Sequence, residues 1–312
     1  MNKAKIKNYN LTGSVHTLSI KSPGVALEAQ QQVKPCISST TATRDGVESS
    51  SSTINPNKLQ GDILHFSGFR QVMDTILRGA GIKDYCWTRV DLRLDSYDPE
   101  HYRAYAKLNR YLISLLAVTY ATKNNYRTTN LFTGQQLSVA IKNDYFECEN
   151  YDRAAKSELT GNHVEPAQAR LEERTTSRSW RKIYDRLSGE SNMDLLRREF
   201  TVGWFTRWDK ALKNVELVWQ RYNMELERIY NEDKTAYPKR FRSLTDFLIQ
   251  YQDCIFCKAQ MVDLLSRFRE VKDPDTRAKN HKKKYGIEYF SQQDLQQAVA
   301  EVKRATLAYF ET

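Results

Sequence analysis

Nine residues, Trp87 to Asp95, constrain this chain more than any others. Val90, Leu92 and Leu94 are apolar, and Arg89, Asp91, Arg93 and Asp95 between them are charged. A period of two predicts a β-strand with one face in a core and the other carrying charge. A strand buried on both sides would not alternate so sharply, so the sheet is expected to be covered by helices on one face only. The plainest reading of the charged face is a solvated surface.

The rest of the pattern builds an α+β chain. Phe69 to Leu77 has helical spacing and ends at Gly79 and Gly81. Asp62 to Phe66 reads as a short strand. Asp98-Pro99 opens a helix that runs to about Tyr120. Tyr126 to Phe132, Gln136 to Ile141, Tyr145 to Tyr151 and Ala169 to Thr175 read as strands, and Ser179 to Leu187 as a helix. The order β-α-β-α-β-β-β-β predicts a mostly antiparallel sheet with helices on one face. Three apolar stripes beyond residue 200 predict a helical C-terminal domain, punctuated by Pro238 and Pro274. Residues 1–60, with the run CISSTTATRDGVESSSSTI, have little to bury and read as a disordered Ser/Thr-rich tail, with a short strand at Val15 to Ile20. The expected domains are thus 1–60, 61–200 and 201–312.

Charge narrows the partners. The net charge is +10, which favours polyanions. Residues 61–169 are neutral, with 13 basic and 13 acidic side chains, as befits a metal or acid–base site flanked by phosphate-holding segments. No apolar run is long enough to cross a bilayer, and the N-terminal MNKAKIKNYN lacks the apolar core of a signal peptide. Five cysteines in this length do not make a disulfide framework, so a cytoplasmic setting is expected. Cys254 and Cys257 form a C-x-x-C without the second pair that zinc would need. There is no P-loop, G-x-G-x-x-G or G-x-S-x-G, which removes support for nucleotide-driven motors, dinucleotide enzymes and serine hydrolases.

Acids and bases recur on three expected strands. Asp91 and Asp95 are about 13 Å apart at ~3.3 Å per residue, too far to chelate one ion together. Either could do so with acids of a neighbouring strand. In YFECENY, Tyr145, Glu147, Glu149 and Tyr151 share a face. In ARLEERT, Arg170, Glu172 and Arg174 do. Such carboxylates suit Mg²⁺ or Mn²⁺, and a tyrosine beside the ion is a candidate nucleophile for phosphoryl transfer. Arg277, Lys279, Lys282, Lys283 and Lys284 form a basic run that can hold phosphates or simply stay solvated. SRSWRK at 177–182 and FTRW at 205–208 interleave aromatics with bases, as single-strand-binding surfaces do, although tryptophans at helix starts are more often core.

WTRVDLRLD, NDYFECENYDRAAKSE and ARLEERTTSR, in that order across about 85–180, resemble the three motif segments of rolling-circle replication initiators, of the Rep_trans plasmid type and the replication endonucleases of filamentous phages. The matching positions are Arg89, Asp91 and Asp95; Tyr151, Asp152 and Glu158; and Arg170, Glu172 and Arg174. The lysine that usually follows Tyr-Asp is Arg153, with Lys156 nearby, and no two histidines are two apart, so the His-x-His class does not fit. The resemblance implies an endonuclease that nicks and rejoins one strand at a replication origin through a 5′-phosphotyrosyl link. It implies metal ligands Asp91, Glu147 and Glu172, with Glu149 as an alternative to Glu147. The nucleophile is Tyr151, with Tyr145 and Tyr184 also open. Arg170 and Arg174, with Arg89, would neutralise phosphate oxygens, and Lys156 and Lys282–Lys284 would hold DNA. The implied partners are origin DNA, duplex and single-stranded, a host helicase and a second copy of the chain. Two other readings compete: a non-catalytic DNA-binding regulator of replication or copy number, and a helical interaction protein.

Overall fold

The computed structural model describes residues 10–96, 102–120, 126–129, 138–152 and 169–312. Among these residues eight strands form one sheet: β1 (Leu11–Pro23), β2 (Ile37–Arg44), β3 (Val47–Ile54), β4 (Cys86–Ser96), β5 (Tyr126–Thr129), β6 (Val139–Asn143), β7 (Phe146–Asp152) and β8 (Ala169–Thr175). Their order is β2-β3-β1-β4-β8-β7-β6-β5, and each neighbouring pair is antiparallel. The fold is α+β, and the helices cover the apolar face of the sheet.

Residues 10–60 are not a disordered tail, and the strand expected at Val15 to Ile20 forms as part of β1. β1 lies inside the sheet between β3 and β4, and β2 and β3 extend the sheet beyond it. Three things offset the ordering entropy that Ser and Thr alone could not. Val15, Leu18, Ile20, Val33, Cys36 and Ile54 enter the core. The β2–β3 hairpin pairs throughout its length around Asp45-Gly46, both at positive φ. Cross-strand hydroxyl pairs join Ser22 to Ser50 at 2.8 Å and Ser39 to Ser52 at 2.7 Å. Serine and threonine here fit a pleated, half-buried surface, which composition does not distinguish from disorder.

The expected strand over Asp62 to Phe66 does not form. Phe66 instead opens α2 (Phe66–Gly79), after a single turn, α1 (Asn57–Gln60). α3 (Tyr102–Tyr120) lies across β6, β7 and β8. α4 (Ser177–Arg186) and α5 (Asn192–Arg198) follow. A turn of π-helix at Glu199–Gly203 leads into α6 (Trp204–Ala211). The remaining helices are α7 (Val215–Thr235), α8 (Leu244–Gln250), α9 (Lys258–Ser266), α10 (Pro274–Tyr285) and α11 (Gln292–Glu311).

The expected boundary at residue 200 is not a break in the core. α11 packs on β1 closely enough that a Cβ at Gly13 would meet the Ala305 carbonyl at 3.2 Å. Phe310 meets Phe66 of α2 at 4.9 Å between ring centres. One hydrophobic cluster runs from Val15 through Leu92, Leu116, Trp204 and Leu264 to Phe310. The helical region covers the sheet rather than standing beside it.

β8 carries an acid into that apolar layer. Glu173 is fully buried, and the Trp208 indole donates to its carboxylate at 2.6 Å. Burial pushes its pKa up to about 8 from 4.5. Between those values the folded chain holds a proton that the unfolded chain releases, so Glu173 makes the fold less stable as pH rises through that window. Glu173→Gln keeps an acceptor for Trp208 and removes the proton. We expect wild-type stability in urea to fall relative to Glu173→Gln between pH 5 and pH 8. Parallel pH profiles for the two proteins would contradict this.

Candidate functional site

The alternation of β4 is realised as expected, but its charged face is not solvated. Asp91 is 2% exposed and Asp95 1%, and Arg93, Arg170 and Glu172 are buried with them. The registers explain how. Asp91 sits opposite Arg174 and Asp95 opposite Arg170 across β4–β8. Glu147 sits opposite Arg174, Glu149 opposite Glu172 and Tyr151 opposite Arg170 across β7–β8. Acids and bases of three strands therefore meet side by side.

Arg174 is the hub. Its guanidinium reaches Asp91 at 2.9 Å, Glu147 at 2.5 Å and Glu172 at 3.2 Å. Arg89 binds Asp91 from the other side through two bonds, at 2.9 and 2.6 Å. Lys142 of β6 reaches the second oxygen of Glu147 at 3.2 Å. Burial alone would raise the Glu147 carboxyl, but Arg174 and then Lys142 bring it below its usual range.

Toward the far end of the stripe, Arg170 grips Asp95 with two bonds, at 2.6 and 2.8 Å. Its remaining nitrogen donates to the Tyr151 hydroxyl at 3.3 Å, and that hydroxyl donates to Glu172 at 2.7 Å. Burial, then the charge of Glu172, holds the Tyr151 phenol protonated well above the ordinary tyrosine range. Arg170, Glu172 and Arg174 thus link Tyr151 to the hub in a continuous chain.

The three residues expected to bind metal are brought together, but around a cation that the chain itself supplies. Asp91, Glu147 and Glu172 converge on the Arg174 guanidinium, and each has a further partner. A divalent ion would have to displace Arg174. Among the described residues no group of three or more His, Cys, Asp or Glu side chains is placed to hold a metal ion. As arranged, this donor set does not fit Mg²⁺ or Mn²⁺.

The three candidate tyrosines separate clearly. Tyr184 is engaged in structure, accepting from the Trp87 amide at 2.7 Å and donating to Asn192 at 2.7 Å. Tyr145 lies in the turn before β7, where the Lys182 ammonium donates to its hydroxyl at 2.9 Å and holds it below its usual range. Only Tyr151 has a carboxylate acceptor flanked by a guanidinium. Lys156, with Arg153 and Glu158, lies outside the described residues. Lys282, Lys283 and Lys284 occupy the last turn of α10, a helix rather than a loop, where they complement its C-terminal dipole. Trp180, Trp204 and Trp208 are core. Cys254 and Cys257 are buried free thiols, and Cys254 accepts from Arg110 at 3.2 Å.

Two members of the site were not singled out in the sequence. Arg93 bridges Asp95 and Asp62, at 3.5 and 2.5 Å. Its place in the β4 alternation was the available signal. His16 sits at a register shift of β1. Burial, then Arg170 and Arg93, lowers its pKa to about 4. A lone histidine in a short strand expected beside a disordered run carried no signal.

Comparison of the chain with known protein families, curated proteins and solved structures finds no match. Among the described residues no helix is long and apolar enough to cross a membrane.

Removing the hub leaves buried carboxylates facing one another. Arg174→Gln is expected to cost about 3–5 kcal/mol of unfolding free energy, the usual range for breaking a buried ion pair. Adding Asp91→Asn to it should recover part of that loss. Urea unfolding of the two single variants and the double variant checks this. A strictly additive result would mean that the two groups do not interact.

Proposed function

We propose that the chain is a replication initiator that nicks one DNA strand and holds it as a 5′-phosphotyrosyl adduct on Tyr151. The observation that carries this reading is the Tyr151 hydroxyl donating to Glu172 while it accepts from Arg170. A neutral phenol needs a base to attack phosphorus, and Glu172 is in hydrogen-bond contact with its proton. As the tyrosyl oxygen–phosphorus bond forms, the proton passes to Glu172. The bond to the 3′-oxygen breaks, and that oxygen leaves as a hydroxyl by taking a proton from solvent water. Arg170 is the guanidinium nearest the reacting oxygen and the one suited to the charge that develops on the phosphate. Arg174 acts by holding Glu172 in place. Arg89 is six residues from Asp95, about 20 Å at ~3.3 Å per residue, so it serves a more distant phosphate. No step is routed through a metal ion.

The order of the three motifs and the +10 charge also support the reading, with origin DNA as the partner. A host helicase, a second copy of the chain, and phosphate contacts through Lys156 and Lys282–Lys284 belong to the same proposal. So does a cytoplasmic setting, which the five free cysteines suit. One observation favours a second reading. Ion pairs this complete can hold a sheet together without chemistry, so a DNA-binding regulator of replication or copy number would use the same surface without cutting.

The test incubates supercoiled and single-stranded DNA with the protein in Mg²⁺ and Mn²⁺, followed by a denaturing gel. Wild type should carry DNA covalently and Tyr151→Phe should not. Glu172→Gln should slow adduct formation by about 10²–10⁴-fold, the typical worth of a positioned base. An adduct on Tyr151→Phe at the wild-type rate would overturn the assignment. DNA binding without an adduct in wild type would favour the regulator.

A further inference from the structure

The two basic-aromatic segments of the sequence converge in space. α4 brings Lys182, Ile183 and Arg186, and the π-turn with α6 brings Val202, Arg207 and Lys210, onto one cavity of about 510 Å³. Its floor is the β6–β7 turn, with Tyr145 and Phe146. It lies at the Tyr145 end of β7, six residues from Tyr151, or about 20 Å at ~3.3 Å per residue.

The charges around it are unequally committed. Arg207 pairs with Glu199 at 2.7 Å and stacks on the Trp204 and Phe146 rings, so it belongs to the wall. Arg178 pairs with Asp144. Lys182, Arg186 and Lys210 are exposed and make no ion pair among the described residues. Lys182 instead donates to the Tyr145 hydroxyl at 2.9 Å and lies 4.2 Å from the centre of that partly buried ring, with Arg178 5.4 Å from the same centre. Val202 is 56% exposed beside them and adds apolar surface to the wall.

The wall is shaped by the π-turn. A Cβ on Gly203 would press on the Glu199 carboxylate, which Arg207 and Thr175 engage. A larger residue there would require the Glu199 side chain to shift from its bonds to Arg207 and Thr175. Single turns of π-helix recur at functional sites.

A concave surface with a partly exposed aromatic ring, an apolar wall and three cations that make no ion pair among the described residues fits a flat base together with phosphate. A paired base cannot enter such a cavity. Three separated cations exceed what one phosphate group requires. We propose that this cavity binds an unpaired nucleotide within a single DNA strand, with its base against Tyr145 and Val202 and its flanking phosphates on Lys182, Arg186 and Lys210. The proposal rests on reading the chain as DNA-binding, but not on its cutting DNA.

The test is fluorescence anisotropy with a labelled twelve-residue oligothymidylate across a salt series, on full-length variants whose melting matches wild type. Lys182→Gln combined with Lys210→Gln should weaken binding about tenfold and lower the salt slope by roughly 1.4, at about 0.7 per phosphate contact. Tyr145→Ala should weaken oligothymidylate binding about tenfold, but leave an abasic oligomer of the same length unaffected, as loss of one stacking partner requires. Lys283→Gln combined with Lys284→Gln, on α10, should cost less than the cavity pair. Wild-type affinity in the cavity variants, or an equal loss from the α10 pair, would overturn the site. Thymidine monophosphate competing as tightly as the oligomer would make it a free-nucleotide site instead. The adduct assay separates this proposal from nicking. Wild type that forms no adduct, while the cavity variants still lose strand affinity, removes the nuclease and keeps the site. An adduct with unchanged affinity in the cavity variants does the reverse.

Discussion

One guanidinium is shared by three carboxylates of three strands, and the rest of the site depends on it. Arg174 meets Asp91, Glu147 and Glu172 where water is almost excluded. Burying charge is costly, and the cost is offset only while every partner is present. The same contact fixes register. A slip of β8 by one residue would turn Arg174 into the apolar layer and bring Leu171 and Glu173 onto the ionic one. Glu172 is held by this arrangement, and Tyr151 is held by Glu172.

β8 joins the two halves of the molecule. Arg170, Glu172 and Arg174 point to the ionic face, and Leu171, Glu173 and Thr175 to the helices. Trp204 donates to Thr175 at 3.2 Å and Trp208 to Glu173 at 2.6 Å, so α6 is tied to the strand that carries the arginines. The same helix walls the cavity at the other end of β7. Under the proposed function, the end with Tyr151 holds the reacting phosphate and the end with Tyr145 holds unpaired strand. Both depend on one continuous core.

The sheet was legible where the polar and apolar residues alternate. Val90, Leu92 and Leu94 against Arg89, Asp91, Arg93 and Asp95 specify a strand and its inward face, and β7 and β8 follow from the same rule. The companion residues Glu147, Tyr151, Arg170, Glu172 and Arg174 were legible as one face of neighbouring strands. Their partners were not, because pairing depends on register, and register is set by contacts far apart in sequence. That is why three acids read as a metal site turn out to surround an arginine. The core of β1 was legible at Val15 to Ile20, but β2 and β3 were hidden for another reason. VESSSSTI offers almost no apolar signal, and its ordering depends on hydroxyl pairs and on a hairpin whose partner lies in the same low-complexity run. The π-turn at Glu199–Gly203 was invisible, because only the fold shows which acid Gly203 makes room for.

The central claim is that the ionic face closes over Tyr151 and binds its hydroxyl to Glu172. The most direct measurement is an NMR pH titration of the tyrosine ring carbons, labelled at Cζ and assigned with Tyr151→Phe. The account predicts that Tyr151 stays protonated well above pH 10, where an ordinary tyrosine ionises, and that Glu172→Gln moves it back toward that value. A Tyr151 that titrates near 10 in wild type would contradict the account, because its hydroxyl would then be neither buried nor held against a carboxylate.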